Sequence, residues 1–274
     1  MTPGTLLTRT TQWLKRHELR VSKQLGQHFL VDEEVLNRTI EYGHLSANDL
    51  ILEIGTGTGV LTQALADHVQ LVYTIEKDRK LFDVLSAELG TNTRIQLIHG
   101  DATQIDWPLC DKLVANLPYA ISSPVLFRLF ESEIPSAVVM LQKEFGERLT
   151  AQSGSKQYGR LTVMTAYHAT VELLEVVTPE SFYPPPAVSS ALIRITRQPH
   201  PPFEVKDVEL FGQVVIALFN QRRKKIRTPL KTLLGNQQFQ NIQTEIPWLN
   251  QRVEELKPEQ IAEISNILHE RRIQ

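Results

Sequence analysis

The chain alternates short apolar runs with longer amphipathic ones from about residue 49 to residue 196. The short runs are rich in β-branched residues, and the longer ones repeat apolar positions at helical spacing, as Leu81, Leu85 and Leu89 do. This alternation is typical of βαβ units on a parallel sheet and predicts a doubly wound α/β domain. The predicted strands are 50–54, 71–75, 95–99, 112–115, 137–141, 170–177 and 191–196, with helices at 60–68 and 79–89.

The pattern changes near residue 198. The length of segment 179–190 suits an antiparallel hairpin between the last two strands, and Pro199-His200-Pro201-Pro202 then ends strand structure, because proline has no amide hydrogen to donate. Beyond it, helices are predicted at 205–234 and 258–273. We therefore predict an α/β domain over residues 1–198 and a small helical domain over 199–274. The first of these helices should bury Phe211, Val215, Leu218 and Phe219.

The composition is that of a folded protein and excludes several other classes. Of 274 residues, 42% are hydrophobic and 22% charged. No apolar run approaches the roughly 18 residues of a membrane span, and the first 20 residues contain no signal-peptide core, so we expect a cytoplasmic protein with no membrane partner. The single Cys110 excludes an intrachain disulfide. The histidines show no metal-ligand spacing, so no metal is expected.

Positive charge is concentrated in two stretches, although the net charge is −2. The first runs from Arg9 to Lys23, and the second, from Arg222 to Lys231, contains no acidic residue. Phosphate contacts require local positive potential, which makes both stretches candidates for nucleic acid binding. Solvated helix faces have a similar composition and are the alternative. The candidate RNA-binding residues, expected on a helix or at its end, are Arg222, Arg223, Lys224, Lys225 and Arg227.

A glycine-rich loop follows the first predicted strand and precedes a helix. In Gly55-Thr56-Gly57-Thr58-Gly59 the glycines let the backbone approach a ligand at the helix N-terminus. The dinucleotide fingerprint requires a glycine where this chain has Val60, which disfavours NAD. Glu76 ends the second strand, where it can accept from both ribose hydroxyls, and Asp101 follows the third, where it can face an adenine amine. The arrangement favours an adenosine-containing ligand without a pyrophosphate.

The fourth strand leads into Asn116-Leu117-Pro118-Tyr119, again at the carboxyl edge of the sheet. Methylating an exocyclic amine requires groups that accept hydrogen bonds from its N–H groups, because the nitrogen lone pair is otherwise delocalised into the ring. The Asn116 side-chain oxygen and the Leu117 carbonyl can accept those hydrogen bonds, and Tyr119 offers a face on which a flipped base can stack. Pro118 fixes the turn. An Asn-Pro turn beside a core tyrosine is the alternative interpretation.

Together these motifs resemble the small-subunit ribosomal RNA adenine N6,N6-dimethyltransferase family, the KsgA type, from about Lys23 to the C-terminus. Further shared motifs are Lys23-Gln24-Leu25-Gly26-Gln27-His28-Phe29-Leu30, Gly100-Asp101-Ala102, and the segments 142–144, 158–161 and 182–190. The resemblance implies a Rossmann-like class I methyltransferase fold, with a mostly parallel seven-stranded sheet and a small C-terminal helical domain that recognises rRNA.

The resemblance also implies an activity and its site. The cofactor would be S-adenosylmethionine, and a monomer would dimethylate two adjacent adenosines near the 3′ end of small-subunit rRNA in an assembling ribosomal particle. The implied catalytic residues are Asn116, Leu117, Pro118, Tyr119 and Phe182, with Tyr119 and Phe182 flanking the target adenine. The implied cofactor-binding residues are Gln27, His28, Leu30, Glu53, Gly55, Gly57, Glu76, Asp101, Ala102 and Asn116.

Two departures from the family pattern affect the expected RNA contacts. Family members more often have Lys and Asp where this chain has Ala187 and Ser189, and many are distinctly basic. Three alternative functions are a large-subunit rRNA adenine methyltransferase, a non-catalytic ribosome-assembly or transcription factor, and a small-molecule methyltransferase. Leu117 and the basic run disfavour the first, whereas Glu76 and Asn116 disfavour the second. The basic run has no role in the third.

Overall fold

The computed structural model describes residues 4–22 and 25–271, and its internal contacts divide the chain into two units. The first unit is Met1–Gly146 with Val171–Arg197, and the second is Glu147–Thr170 with Gln198–Gln274. The predicted boundary after residue 198 lies one residue from this division. Segment Glu147–Thr170, which the prediction placed in the α/β domain, instead belongs to the helical unit. Val163 and Tyr167 explain the difference, because both are buried in the core of that unit.

The first unit is built around a seven-stranded sheet. Its strands are β2 (Leu50–Ile54), β3 (Leu71–Glu76), β4 (Ile95–His99), β5 (Lys112–Asn116), β6 (Ser136–Gln142), β7 (Ala169–Val177) and β9 (Ser190–Arg197), with the two-residue strands β1 (Phe29–Leu30) and β8 (Phe182–Tyr183) outside it. Its helices are α1 (Leu6–Arg16), α2 (Glu33–Tyr42), α3 (Val60–Ala66), α4 (Arg79–Leu89), α5 (Ser122–Glu131) and α6 (Lys143–Leu149). Two of the divisions between the units fall within elements, one in α6 and one near the start of β7.

All seven predicted strands are present, and the predicted doubly wound sheet is confirmed. The strand order is β4-β3-β2-β5-β6-β9-β7. Neighbouring strands from β4 through β6 run parallel, and β9 runs antiparallel to β6. The connection between β7 and β9 is more than the predicted hairpin, because it contains β8, which pairs with β1. Two-residue strands are too short for an alternating pattern to reveal them.

The topology places a crevice between β2 and β5. The chain passes from β2 to β3 and β4 on one side of the sheet and then returns to β5 on the other side of β2. At such a switch point the two following loops diverge, and ligands of open α/β sheets bind in the opening at the carboxyl ends of the strands. The glycine loop follows β2 and Asn116 ends β5, so the two main motifs face each other there.

Helix α4 shows how local sequence fixes one wall of this crevice. Asp78 caps its N-terminus by accepting from the amides of Lys80 and Leu81. The helix then buries Leu81, Leu85 and Leu89, as their spacing predicts. Burying a leucine side chain contributes roughly 1.5–3 kcal/mol, so this face holds α4 against the sheet.

The second unit is helical. It contains α7 (Arg160–His168), α8 (Val208–Phe219), α9 (Arg227–Leu234), α10 (Asn236–Ile242) and α11 (Pro258–Glu270). The predicted helix at 205–234 is two helices, because residues 220–226 form a turn. Phe211, Val215 and Leu218 are buried as predicted, and Phe219 is half-buried. In the described part of the chain, no helix is long and apolar enough to cross a bilayer.

Candidate functional site

The three glycines of the loop after β2 adopt backbone angles that other residues rarely tolerate. The φ angles of Gly55, Gly57 and Gly59 are +83°, +60° and +76°. A Cβ on Gly57 would lie 3.3 Å from the ring of Phe29, and one on Gly55 would lie 3.2 Å from Cδ of Pro118. The backbone of the loop is therefore not covered by side chains of its own, so a ligand in the crevice can approach it closely.

Glu76 lies at the end of β3 and is only 6% exposed. One carboxylate oxygen accepts from the Gly57 amide at 3.1 Å, and the other accepts from the Asp78 amide at 2.7 Å. Burial raises the pKa of the carboxyl, and the two backbone hydrogen bonds oppose that shift. Each oxygen retains a further lone pair, so the fixed carboxylate can still accept from two ribose hydroxyls.

Glu53 lies below the glycine loop and is 1% exposed. It accepts a 2.6 Å hydrogen bond from the Thr62 hydroxyl, and the hydroxyls of Thr56 and Thr74 are 2.7 Å apart beside it. Burial raises the pKa of Glu53 to about 8. The carboxyl is therefore mostly protonated at neutral pH, and its bond to Thr62 holds the end of β2 to α3.

Asp101 follows β4 and is held by three hydrogen bonds. Lys77 donates to one carboxylate oxygen at 2.7 Å, and the amide and hydroxyl of Thr103 donate to the other at 2.9 and 2.7 Å. These bonds, chiefly the one from Lys77, lower the pKa of Asp101 to about 2. Lys77 was not among the predicted site residues, although it directly follows Glu76 and therefore lies at the same strand end.

The carbonyl of Ala102, next to Asp101, is fixed from two directions. The indole of Trp107 donates to it at 2.8 Å, and the guanidinium of Arg128 donates at 3.1 Å. The Arg128 guanidinium also lies 5.1 Å from the centre of the Trp107 ring, a cation–π contact. No motif connects these three positions, so sequence reasoning had no signal for the cluster.

The segment before β1 enters the crevice at His28. Gln27 does not point its amide freely at a ligand, because it accepts from the Ser22 amide at 2.7 Å and donates to Asp78 at 3.0 Å. His28 Nδ1 lies 2.7 Å from the carbonyl oxygen of Pro184. Its ring is stacked on Tyr119, with centres 5.6 Å apart. Lys23 and Gln24, part of the family motif, lie outside the described residues.

Asn116 ends β5 with its side-chain orientation fixed. Its amide nitrogen donates to the carbonyl of His28 at 3.2 Å, which leaves Oδ1 as the acceptor end. The Leu117 amide donates to the Met140 carbonyl at 3.2 Å and so anchors the turn to β6. The Tyr119 hydroxyl lies 2.6 Å from that of Ser190, and burial raises the pKa of the phenol. Tyr119 is therefore a neutral, fixed aromatic side chain.

Phe182 is the predicted site residue that the structure does not bring into the cleft. Its side chain is 2% exposed and packs in a core cluster with Leu30, Val138 and Met140. The pairing of β1 with β8 puts Phe182 opposite Leu30, which turns both side chains towards that core. The other predicted catalytic and cofactor-binding residues line one cleft of the first unit, namely Gln27, His28, Leu30, Glu53, Gly55, Gly57, Glu76, Asp101, Ala102, Asn116, Leu117, Pro118 and Tyr119.

The predicted RNA-binding residues lie in the second unit, in a segment that we call the basic turn (residues 222–227). Most of it precedes α9 as a turn, so the expectation of a helical location holds only for Arg227. Arg222 is half-buried, pairs with Glu254 at 3.1 Å and donates to the carbonyls of Ser155 and Lys156. The exposed cations of the basic turn are Arg223, Lys224, Lys225 and Arg227, and none of these four forms an ion pair with another described residue.

Comparison with known proteins agrees with this geometry. The model of the ribosomal RNA adenine dimethylase family matches residues 18–270. The chain belongs to this family. Helix α1 precedes the region that the family model matches. Family membership confirms the predicted resemblance, the class I methyltransferase fold and the prediction of an S-adenosylmethionine-dependent rRNA methyltransferase.

Several individual proteins are similar to this member of the family over nearly their whole length. The probable ribosomal RNA small subunit methyltransferase A of Pyrococcus abyssi is 39% identical over 95% of this chain and 96% of its own. Its counterpart in Methanococcoides burtonii is 38% identical, over 90% and 93%. Among solved structures, a dimethyladenosine transferase from Plasmodium falciparum superimposes with a TM-score of 0.76 at 24% identity, covering 90% of this chain and 99% of that chain.

Proposed function

We propose that this protein transfers methyl groups from S-adenosylmethionine to the N6 amines of two adjacent adenosines near the 3′ end of small-subunit rRNA, within an assembling ribosomal particle. The observation that carries this proposal is the position of Asn116 across the switch point from the glycine loop. Because its nitrogen is bound to His28, its oxygen is the end that can accept a hydrogen bond from the target amine.

The cleft fits the proposed cofactor. The glycine loop leaves a cradle that a single Cβ would fill, and Glu76 presents a fixed carboxylate beside it. S-Adenosylmethionine supplies an electrophilic methyl group on its sulfonium. Asp101 can accept from the adenine amine through the acceptor capacity that Lys77 and Thr103 leave. The proposed binding residues are His28, Leu30, Gly55, Gly57, Glu76, Asp101, Ala102 and Asn116, with Gln27 and Glu53 supporting them.

The chain's own contribution to methyl transfer is alignment and electrostatics. The Asn116 oxygen and the Leu117 carbonyl accept hydrogen bonds from the N–H groups of the amine and favour a pyramidal nitrogen. The lone pair of that nitrogen is then available for direct attack on the methyl carbon. Pro118 fixes the turn, and Tyr119 offers its face to the base. Cys110 does not line the cleft, so its thiol is not placed to act as a nucleophile on the substrate.

The substrate assignment rests on the basic turn and on the relatives' names. Exposed Arg223, Lys224 and Lys225 present positive charge without internal partners in the described part of the chain. Such cations can neutralise rRNA phosphates. We also propose that the protein acts as a cytoplasmic monomer on the small particle. A non-catalytic assembly factor and a large-subunit enzyme remain the alternatives, and the following experiment separates them.

The decisive test is methylation of defined substrates. The protein is incubated with labelled S-adenosylmethionine and either undermethylated small particles, naked small-subunit rRNA or large-subunit rRNA, and dimethyladenosine is located by mass spectrometry of rRNA fragments. We expect two adjacent dimethyladenosines near the 3′ end in the small particle alone. Transfer to large-subunit rRNA would support the large-subunit alternative. Particle binding without transfer would support the assembly-factor alternative.

A further inference from the structure

We propose that Tyr183 is an RNA-contacting residue whose ring stacks on the nucleotide next to the target adenosine. This inference rests on the proposed function. It concerns a position that lies in the shared segment 182–190 but was given no role there, and it places an exposed aromatic ring at the rim of the cleft, next to the buried Phe182. Strand pairing, exposure and the rigidity of the loop around Tyr183 support this assignment.

The pairing of β1 with β8 decides which aromatic ring faces the cleft. Phe29 pairs with Tyr183, and Leu30 pairs with Phe182. Paired residues project from the same face of a sheet, and successive residues project from opposite faces. Leu30 and Phe182 lie in the same core cluster, and although Leu30 also borders the cleft, the Phe29 ring is the side chain beside the glycine loop, 3.3 Å from where a Cβ on Gly57 would lie. Tyr183 therefore shares the cleft-side face with Phe29.

The side chain of Tyr183 is partly exposed and forms no specific side-chain contact within the described residues. Its relative exposure is 37%, compared with 2% for Phe182. Within residues 4–22 and 25–271, its hydroxyl has no hydrogen-bond partner and its ring has no aromatic partner, whereas the hydroxyl of Tyr119 is bound to Ser190. An accessible tyrosine face with no protein partner suits a nucleobase, which stacks on aromatic side chains whatever its identity.

The backbone around Tyr183 is held on both sides. On the N-terminal side, the amide of Val31 donates to the carbonyl of Ser181 at 2.8 Å. On the C-terminal side, Pro184 meets His28, which is itself stacked on Tyr119. The loop therefore fixes Tyr183 near the amine-binding turn, so that stacking requires little ordering of the protein.

The neighbouring nucleotide is the occupant that best fits this position. A base that is to be methylated must leave its stack, and its neighbour then has one stacking partner fewer. Tyr183 lies at the rim and is absent from the residues that line the cleft, so it suits the neighbour better than the target. Because both adjacent adenosines are proposed substrates, the same ring would serve each target in turn.

The test compares Tyr183→Ala, Tyr183→Leu and Tyr183→Phe in steady-state methylation of undermethylated small particles. Loss of the ring should raise KM for the particle about tenfold, because stacking on an aromatic side chain contributes roughly that factor or more. We expect kcat and S-adenosylmethionine affinity to stay within threefold of the parent, and Tyr183→Phe to match the parent. Leu173→Ala removes another exposed apolar side chain of the same unit and should have no effect; its exposure is 52%.

Several outcomes would overturn the proposal. A lower kcat at unchanged KM would mean that Tyr183 contacts the reacting base itself. Unchanged kinetics in Tyr183→Leu, with an unchanged melting temperature, would mean that the Tyr183 ring is exposed to solvent and does not contact RNA. Small particles reconstituted with 2-aminopurine next to the target adenosine provide a second measurement, in which the parent should quench fluorescence and Tyr183→Leu should not. A parent protein inactive on every rRNA substrate would instead refute the proposed function.

Discussion

The cleft and the basic turn hold their charges in opposite ways. In the cleft, the Glu76 carboxylate is only 6% exposed and accepts hydrogen bonds from the amides of Gly57 and Asp78. In the basic turn, Arg222 donates a hydrogen bond to Glu254, whereas Arg223 and Lys224 are exposed. A site for one small ligand and one reacting amine requires fixed dipoles, since reorganisation would cost catalytic rate. Attraction of a phosphate chain requires accessible charge more than fixed geometry.

The sharpest challenge to this comparison is Asn116→Ala in the cleft. We expect methyl transfer to fall about 100-fold or more, because removing a transition-state hydrogen bond of roughly 3 kcal/mol has that effect. Affinity for S-adenosylmethionine, measured by calorimetry, should stay within an order of magnitude of the parent. Near-normal turnover would remove Asn116 from the amine site.

In the basic turn, the matching variant reverses Arg223, Lys224 and Lys225 to Glu. Particle affinity should fall steeply, and the slope of log affinity against log salt should flatten by close to one unit for each phosphate that the variant no longer neutralises. Filter binding from about 50 to 300 mM salt measures both quantities. Cofactor affinity should not change, because these residues do not line the cleft.

Arg222→Gln is the control for that experiment. Since Arg222 bonds to Glu254 and to the carbonyls of Ser155 and Lys156, we expect a lower melting temperature and a salt slope close to that of the parent. An unchanged melting temperature with a flatter slope would show that Arg222 binds phosphate instead. An unaltered slope and affinity in the triple variant would identify the basic turn as a solvated surface.

Glu76→Ala should weaken S-adenosylmethionine binding about tenfold or more, because charge-assisted hydrogen bonds to a fixed carboxylate are stronger than neutral ones. Calorimetry provides the measurement, and Glu41→Ala, which removes an exposed glutamate of α2, is the control. Parent-like affinity in Glu76→Ala would argue against a nucleoside ligand at this position.

The smallest expected effect concerns Glu53 and appears in the pH dependence of stability. Its pKa rises from 4.5 to about 8 on folding, so the protonated form stabilises the fold at low pH, and this contribution is lost as pH increases through that range. The group should make the free energy of unfolding fall by up to about 1.4 kcal/mol per pH unit. Glu53→Gln should show a flatter decline in chemical denaturation from pH 5 to pH 8. Identical slopes would contradict the buried, protonated carboxyl.

The sequence predicted the sheet and most of the cleft because each motif there is local. Strand periodicity, the glycine loop and the residues at strand ends follow directly from chain order, and parallel strands bring those ends together. Lys77, Trp107 and Arg128 were missed because their contacts depend on side-chain packing across separate loops. The burial of Phe182 was missed for a related reason, since the pairing of β1 with β8 depends on two short segments far apart in sequence.

The division of the chain has a consequence for the order of events during synthesis. Helix α7 emerges from the ribosome as part of segment Glu147–Thr170, before the rest of the first unit's sheet and well before α8 and α11, whose cores it joins. Domains tend to fold as units while the chain grows at about 5–20 residues per second. Val163 and Tyr167 therefore reach their buried positions only after α8 and α11 have been synthesised.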